Sequence, residues 1–177
     1  MTPLPGALDP AASLVGWNIC KDMFATTWNS GMGAYLLGGR WNSIGNHVVY
    51  CGIDPATSIL EVAAHIGFPA LDSVPHKLVS FVVSDPKKVH IVQPSAVPNP
   101  NWLVPGTPSA SQQAFGDSLL SAHPFVLIPS AVCSNSWNLL VNAKTAVPFI
   151  TMVNITTLAI DTRLSPPVPA KTAAKGP

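Results

Sequence analysis

GGRWNSIGNHVVYCGIDPATSILEVAAH, residues 38–65, holds a glycine-supported arginine, a short β-like run and a capped apolar helix in one continuous stretch. His47-Val48-Val49-Tyr50-Cys51 is β-branched and aromatic, bounded by Gly45-Asn46 and Gly52, and reads as a strand. Asp54-Pro55 then supplies an N-cap followed by proline at the first helical position, so Ser58 to Ile66 continues as a helix that Gly67 and Pro69 should end. Ile59, Val62, Ala63 and Ile66 recur at helical spacing, while Glu61 and His65, four residues apart, share one face.

Working outward, Trp17–Phe24 reads as a first strand, followed by a turn-rich connection through Asn29, Gly31 and Gly33. Lys77–Ser84 is a strong strand pattern and Val89–Val92 a weaker one. A proline-rich loop from Pro94 to Pro108 carries Trp102. A helix over Ser109–Ser121, capped by a leading serine, precedes apolar strands at Phe125–Ile128 and Trp137–Val141 and a β-rich region at Phe149–Ile160. Strands and helices mix without regular βαβ alternation, which predicts an α+β domain. Residues 15–164 should form that single domain. The proline-bearing residues 1–14 read as a flexible arm, and SPPVPAKTAAKGP, from Ser165, as a disordered tail.

Composition narrows the function classes. Hydrophobic residues make up 47% and charged residues 10%, leaving an apolar surface on which a partner, or a second copy of the chain, is expected to pack. A net charge of +1, with no basic run beyond Pro86-Lys87-Lys88, argues against nucleic-acid binding. Cys20, Cys51 and Cys133 are odd in number and widely spaced, suggesting neither a disulfide framework nor a zinc ribbon, and point to a reducing cytoplasm. The first fifteen residues lack the basic start of a signal peptide, and no stretch has the length and hydrophobicity of a membrane span.

Arg40 follows two glycines, so its planar fork and the nearby backbone amides suit a pyrophosphate; a structural arginine on a surface turn is equally open from spacing alone. Glu61 stands between Leu60 and Val62 in a chain with few acids, where it is either paired, functional or simply on the helix surface. The Glu61–His65 pair has metal-ligand spacing, but His47, His76, His90 and His123 provide no second pair, so no metal or other cofactor is expected. Ser130, in IPSAV, lacks a GxSxG context and is better read as a hydrogen-bonding residue than as a nucleophile. Tyr50 and Trp41 could stack on a flat ring or pack in the core.

Taken together, GGRWNS at 38–43, VVYCG at 48–52, SILEVAAH at 58–65, PSAV at 129–132, LLVN at 139–142 and DTRL at 161–164 resemble the RES-domain family, toxins of bacterial Xre/RES toxin–antitoxin systems. The resemblance spans roughly residues 16–164. It implies an ADP-ribosyltransferase-like fold, with a central split β-sheet and flanking helices. It also implies NAD+ as substrate, cleaved by hydrolysis or by phosphorolysis with inorganic phosphate, or used to modify a protein. An Xre-type antitoxin is the implied partner; a catalytically silent antitoxin-binding module is the other reading. The family's arginine, glutamate and serine map to Arg40, Glu61 and Ser130. On this reading Arg40, Glu61 and Tyr50 are catalytic; Gly39, Arg40, Trp41, Asn42, Tyr50, Ser130 and Asn142 bind substrate. Arg40 would clamp the pyrophosphate, Glu61 the ribose, and Tyr50 and Trp41 would stack at the nicotinamide end. Trp17-Asn18-Ile19 stands where family members often have a Tyr-Arg-Ile-like triplet.

Overall fold

Eleven strands and helices run in the order β1 (Leu14–Lys21), α1 (Met32–Leu37), β2 (Val48–Gly52), α2 (Pro55–Ile66), α3 (Phe68–Ser73), β3 (His76–Val83), β4 (Val89–Ile91), α4 (Ala110–Ala122), β5 (Phe125–Pro129), β6 (Trp137–Asn142) and β7 (Ile150–Thr157) among the described residues. The computed structural model describes residues 13–104, 106 and 108–164. All seven strands join one sheet in the order β4-β5-β6-β2-β1-β3-β7, with β4–β5 parallel and the other pairs antiparallel. The architecture is α+β, a mixed sheet flanked by helices.

The apolar runs FVLIP and WNLLV form the central strands because both faces of the sheet are covered there. One face buries Val49, Cys51, Phe81, Phe125, Leu127 and Leu139; the other buries Val48, Val126, Ile128 and Leu140 beneath Trp41, Trp102 and Leu120. Each such side chain contributes about 1.5–3 kcal/mol relative to exposure. β1 begins at Leu14, whose side chain is 2% exposed, so this strand starts earlier than Trp17 and takes in the last residue of the expected arm. The rest of that arm, apart from residue 13, and the tail from Ser165 lie outside the described residues.

The sheet is split between β1 and β2. β1 is laddered to β3 along its whole length, yet it meets β2 at one register pair, Trp17↔Gly52. Beyond that point the strands diverge, and the Asn18 side-chain amide donates across the gap to the Tyr50 carbonyl at 2.9 Å. Ser58, in the first turn of α2, closes the vertex of the fork: its hydroxyl donates to the Trp17 carbonyl at 2.7 Å and accepts from the Gly52 N–H at 3.0 Å. A Cβ on Gly52 would stand 2.7 Å from the Ser58 oxygen, so this junction requires glycine.

Asp54 caps α2 as its sequence predicts, accepting from the Thr57 N–H at 2.8 Å and the Thr57 hydroxyl at 2.6 Å. Burial alone would raise its carboxyl, but these bonds and one from Ser136 outweigh that and hold it below the usual aspartate value. Two departures from the sequence reading concern helices. The glycine-flanked Met32–Leu37 is helical rather than a loop. Gly67, at φ 80°, ends α2 by redirecting the chain, but Pro69 sits in the first turn of α3 instead of beginning a loop.

Candidate functional site

The fork opens onto a cavity of about 400 Å³ whose walls come from α1, the GGR turn, β1, β2, α2 and β6. Arg40, Tyr50 and Glu61 all line it, as do Gly38, Gly39, His65 and Asn138. Strand and helix therefore bring the cation and the carboxylate of the opening stretch to one space.

Arg40 occupies a tight turn closed by the Gly39 N–H donating to the Asn42 carbonyl at 2.9 Å. Gly38 lies at φ 69°, and a Cβ on Gly39 would run into the Tyr50 hydroxyl. α4 fixes the turn through a helical stripe of residues. The Gln113 amide donates to the Gly39 carbonyl at 2.9 Å, Gly116 packs directly on the Trp41 carbonyl, and Asp117 accepts from the Ser43 hydroxyl at 2.5 Å and from Asn46 at 2.8 Å. The Arg40 guanidinium donates through Nη1 to the Trp102 carbonyl at 2.6 Å. Among the described residues no carboxylate lies within ion-pair distance of it. The alternative of an arginine serving a surface salt bridge is not what is seen.

Glu61 projects from α2 toward the sheet. Its Oε1 accepts from the Ser130 hydroxyl at 2.6 Å and from the Asn138 amide at 2.5 Å. Ser130 itself is 0% exposed and accepts from the Val132 and Cys133 N–H groups, so its hydroxyl hydrogen is directed to Glu61. One carboxylate oxygen is thus held by two buried donors, which orients the other.

Several residues expected at the ligand stand elsewhere. Ser130 lies behind Glu61 and off the cavity wall, with its hydroxyl on the carboxylate. Asn142 shares a sheet face with Asn138 but lies four residues along β6, about 13 Å away at strand rise, where it donates to the Leu120 carbonyl and accepts from the Lys144 N–H. The buried Asn42 amide bonds Ala34 and Ser43 and its carbonyl takes the Tyr50 hydroxyl. Trp41 forms part of the cavity wall, yet it is 1% exposed and its ring packs on Trp102 and Phe115, leaving no face to stack on a ligand. The Gly39 and Trp41 amides are consumed inside the turn, the latter by the Tyr50 oxygen at 3.0 Å. Tyr50 borders the cavity, but its hydroxyl both donates and accepts within the protein, and burial pushes it well above the usual phenol range. The hydroxyl braces the GGR turn between the Trp41 N–H and the Asn42 side chain.

Asn138 and the α4 stripe Gln113–Gly116–Asp117 are the residues that sequence reading missed. Helical spacing of polar and glycine positions on α4 was the available signal for the stripe. Asn138 had none, being an asparagine within an apolar strand. His65 lines the cavity, and no cluster of three potential metal ligands exists among the described residues. No helix among them is long and apolar enough to cross a membrane.

The chain is 25% identical over 154 residues to a protein named Toxin Res of Photorhabdus laumondii, covering 85% of this chain and 97% of the relative. It is 29% identical over 136 residues to the Prs ADP-ribosylating toxin of Sphingobium sp., covering 71% and 80%. The fold is similar to one in the crystal structure of the M. tuberculosis MbcT-MbcA toxin-antitoxin complex, with TM-score 0.66, 19% identity and coverage of 82% and 84%. The RES domain model matches residues 16–162, which takes in every strand from the fork outward and every residue that lines the cavity. The chain belongs to the RES-domain family.

Proposed function

We propose that this protein is the toxin of a toxin–antitoxin pair acting in the cytoplasm, and that it consumes NAD+ by cleaving the bond between nicotinamide and ribose. The observation that carries the reading is the pairing of Arg40 with an immobilised Glu61 on one cavity, neither engaged in an ion pair among the described residues. The relatives named as toxins, one of them ADP-ribosylating, support it.

The chemistry suits these groups. As the glycosidic bond breaks, its electron pair goes to the nicotinamide nitrogen, which leaves neutral, and positive charge develops on the ribose. A carboxylate held in place beforehand stabilises that charge without reorganising. Arg40 supplies a cation for the pyrophosphate. Water adds to the ribose to give ADP-ribose and a proton, or inorganic phosphate adds to give ADP-ribose 1″-phosphate. No general acid is required, in keeping with a Tyr50 hydroxyl locked in internal bonds.

The test is incubation of the purified protein with NAD+, with and without phosphate, and identification of the products. Nicotinamide release that disappears in Glu61→Ala and in Arg40→Ala is expected. Undiminished release in Glu61→Ala rules out the assigned role. The Sphingobium relative's name favours a second reading, transfer of ADP-ribose to a protein; labelled NAD+ that leaves label on a cellular protein identifies it. An Xre-type antitoxin is the proposed partner, and exposed apolar side chains such as Leu37, 82% exposed, are consistent with a surface that a protein covers.

A further inference from the structure

Asn138 carries an unmet hydrogen-bonding demand. It is 6% exposed and lines the cavity, and its amide nitrogen is committed to Glu61, but its Oδ1 has no partner among the described residues. The orientation of this amide is not arbitrary. Glu61 Oε1 already accepts from Ser130, and a carboxylate oxygen can only accept, so the nitrogen must face Glu61 and the oxygen must face away from it. A buried acceptor without a donor costs on the order of 1–3 kcal/mol, so this oxygen calls for a partner.

We propose that Asn138 Oδ1 accepts a hydrogen bond from a hydroxyl of the nicotinamide-bearing ribose, next to the hydroxyl taken by Glu61. This rests on the NAD+-cleaving reading above and extends it to how the sugar is gripped. The free Glu61 oxygen and Asn138 Oδ1 flank a single hydrogen bond, the carboxylate on one side of it and the amide on the other, so a sugar with two adjacent hydroxyls can offer a donor to each, and Glu61 and Asn138 together read a vicinal diol. Ser130 orients the carboxylate through Oε1, Asn138 ties the carboxylate to itself, and the diol spans the pair. A ligand offering a single hydroxyl at this position would leave one acceptor unmet and would be discriminated against.

The experiment measures kcat/KM for nicotinamide release from NAD+ and from its two analogues lacking either the 2′ or the 3′ hydroxyl of the nicotinamide ribose. It uses the wild-type chain, Asn138→Ala and Asn138→Ser, the serine variant retaining a polar group in the buried site if alanine unfolds it. In the wild type each missing hydroxyl is expected to lower kcat/KM by roughly 10-fold or more. In the Asn138 variants the penalty for one analogue should vanish while the other persists, a non-additive result for that hydroxyl alone. If Asn138 serves only to steady Glu61, both penalties survive or both shrink together, and the proposal is overturned. If the wild type releases no nicotinamide from NAD+, the NAD+-cleaving reading itself fails and this one with it.

Discussion

At the scale of single residues, the site depends on how firmly one carboxylate is held. Removing the Ser130 hydroxyl leaves Glu61 with one donor and strips the Val132 and Cys133 N–H groups of their acceptor. Hydrogen bonds to charged groups contribute about 1.5–3 kcal/mol, so Ser130→Ala is expected to lower kcat for NAD+ cleavage by roughly 10- to 100-fold. KM should change far less, because the residue lies off the cavity wall; a rise in KM at constant kcat would instead put Ser130 in contact with substrate. Arg40, Tyr50 and Glu61 were legible as cavity residues because each sits in a stretch whose local structure is dictated locally: a glycine turn, a β-branched run, a capped helix. The misplacement of Trp41 and Asn42 has the opposite origin. The Trp41 ring is claimed by α4 and the Trp102 loop, more than fifty residues away in sequence, of which local chemistry says nothing, whereas Asn42 is taken up nearby by Ala34, Ser43 and Tyr50 once the turn has folded.

Among the elements, α2 and α4 carry the two halves of the site and are vulnerable in different ways. Asp54→Ala removes the α2 cap and should destabilise the protein by about 1–2 kcal/mol, read as a lowered midpoint in urea. The same cap predicts an acid limb. Because the folded-state value of Asp54 is depressed, its contribution is fully present above the ordinary aspartate value of about 3.9 and is lost as pH falls through the lower folded value. The wild type should therefore lose more stability than Asp54→Asn on descending below about pH 4; parallel curves for the two proteins would disprove this. On α4, Gly116→Ala is normally a favourable helix change, yet here the new methyl collides with the Trp41 carbonyl, with the Trp41 carbonyl carbon 2.7 Å away. The helix and the GGR turn must separate, so both melting temperature and NAD+ cleavage should fall together. α1 escaped sequence reading because three glycines in and around it lower its intrinsic helicity; its place is set by the Tyr35–His47 ring stack and by packing on β2. α2 and α4 were readable because their caps are spelled out in the sequence.

Across the whole molecule, the sheet has a protected centre and an unprotected edge. Among the described residues β7 pairs only with β3, and its Met152, 80% exposed, Val153 and Ile155 face solvent. Between the pairs Ser80↔Asn154 and Val82↔Thr151 the register shifts, and Met152 adopts φ 50°, a bulge that bends this edge out of line for strand addition. The bulge limits pairing of the edge backbone but does nothing to cover the apolar side chains. Nor does charge keep copies apart, since nine Lys and Arg nearly balance eight Asp and Glu. The α+β class and the apolar surface were both legible from composition and patterning, whereas the strand order was not. The β2–β6 and β1–β3 pairings join segments some sixty to ninety residues apart whose alternation fits several neighbours equally well. Self-association through β7 should be weakest when charge is placed directly on that edge. Met152→Lys with Ile155→Lys is therefore expected to raise the protein concentration at which light scattering sets in near pH 7.8, where net charge is close to zero. NAD+ cleavage should be unaffected, because β7 contributes nothing to the cavity wall. An unchanged scattering threshold would shift the blame from this edge to the exposed apolar residues elsewhere, Leu37 and Ile44 foremost, where the same double charge would then be the variant that disperses the protein.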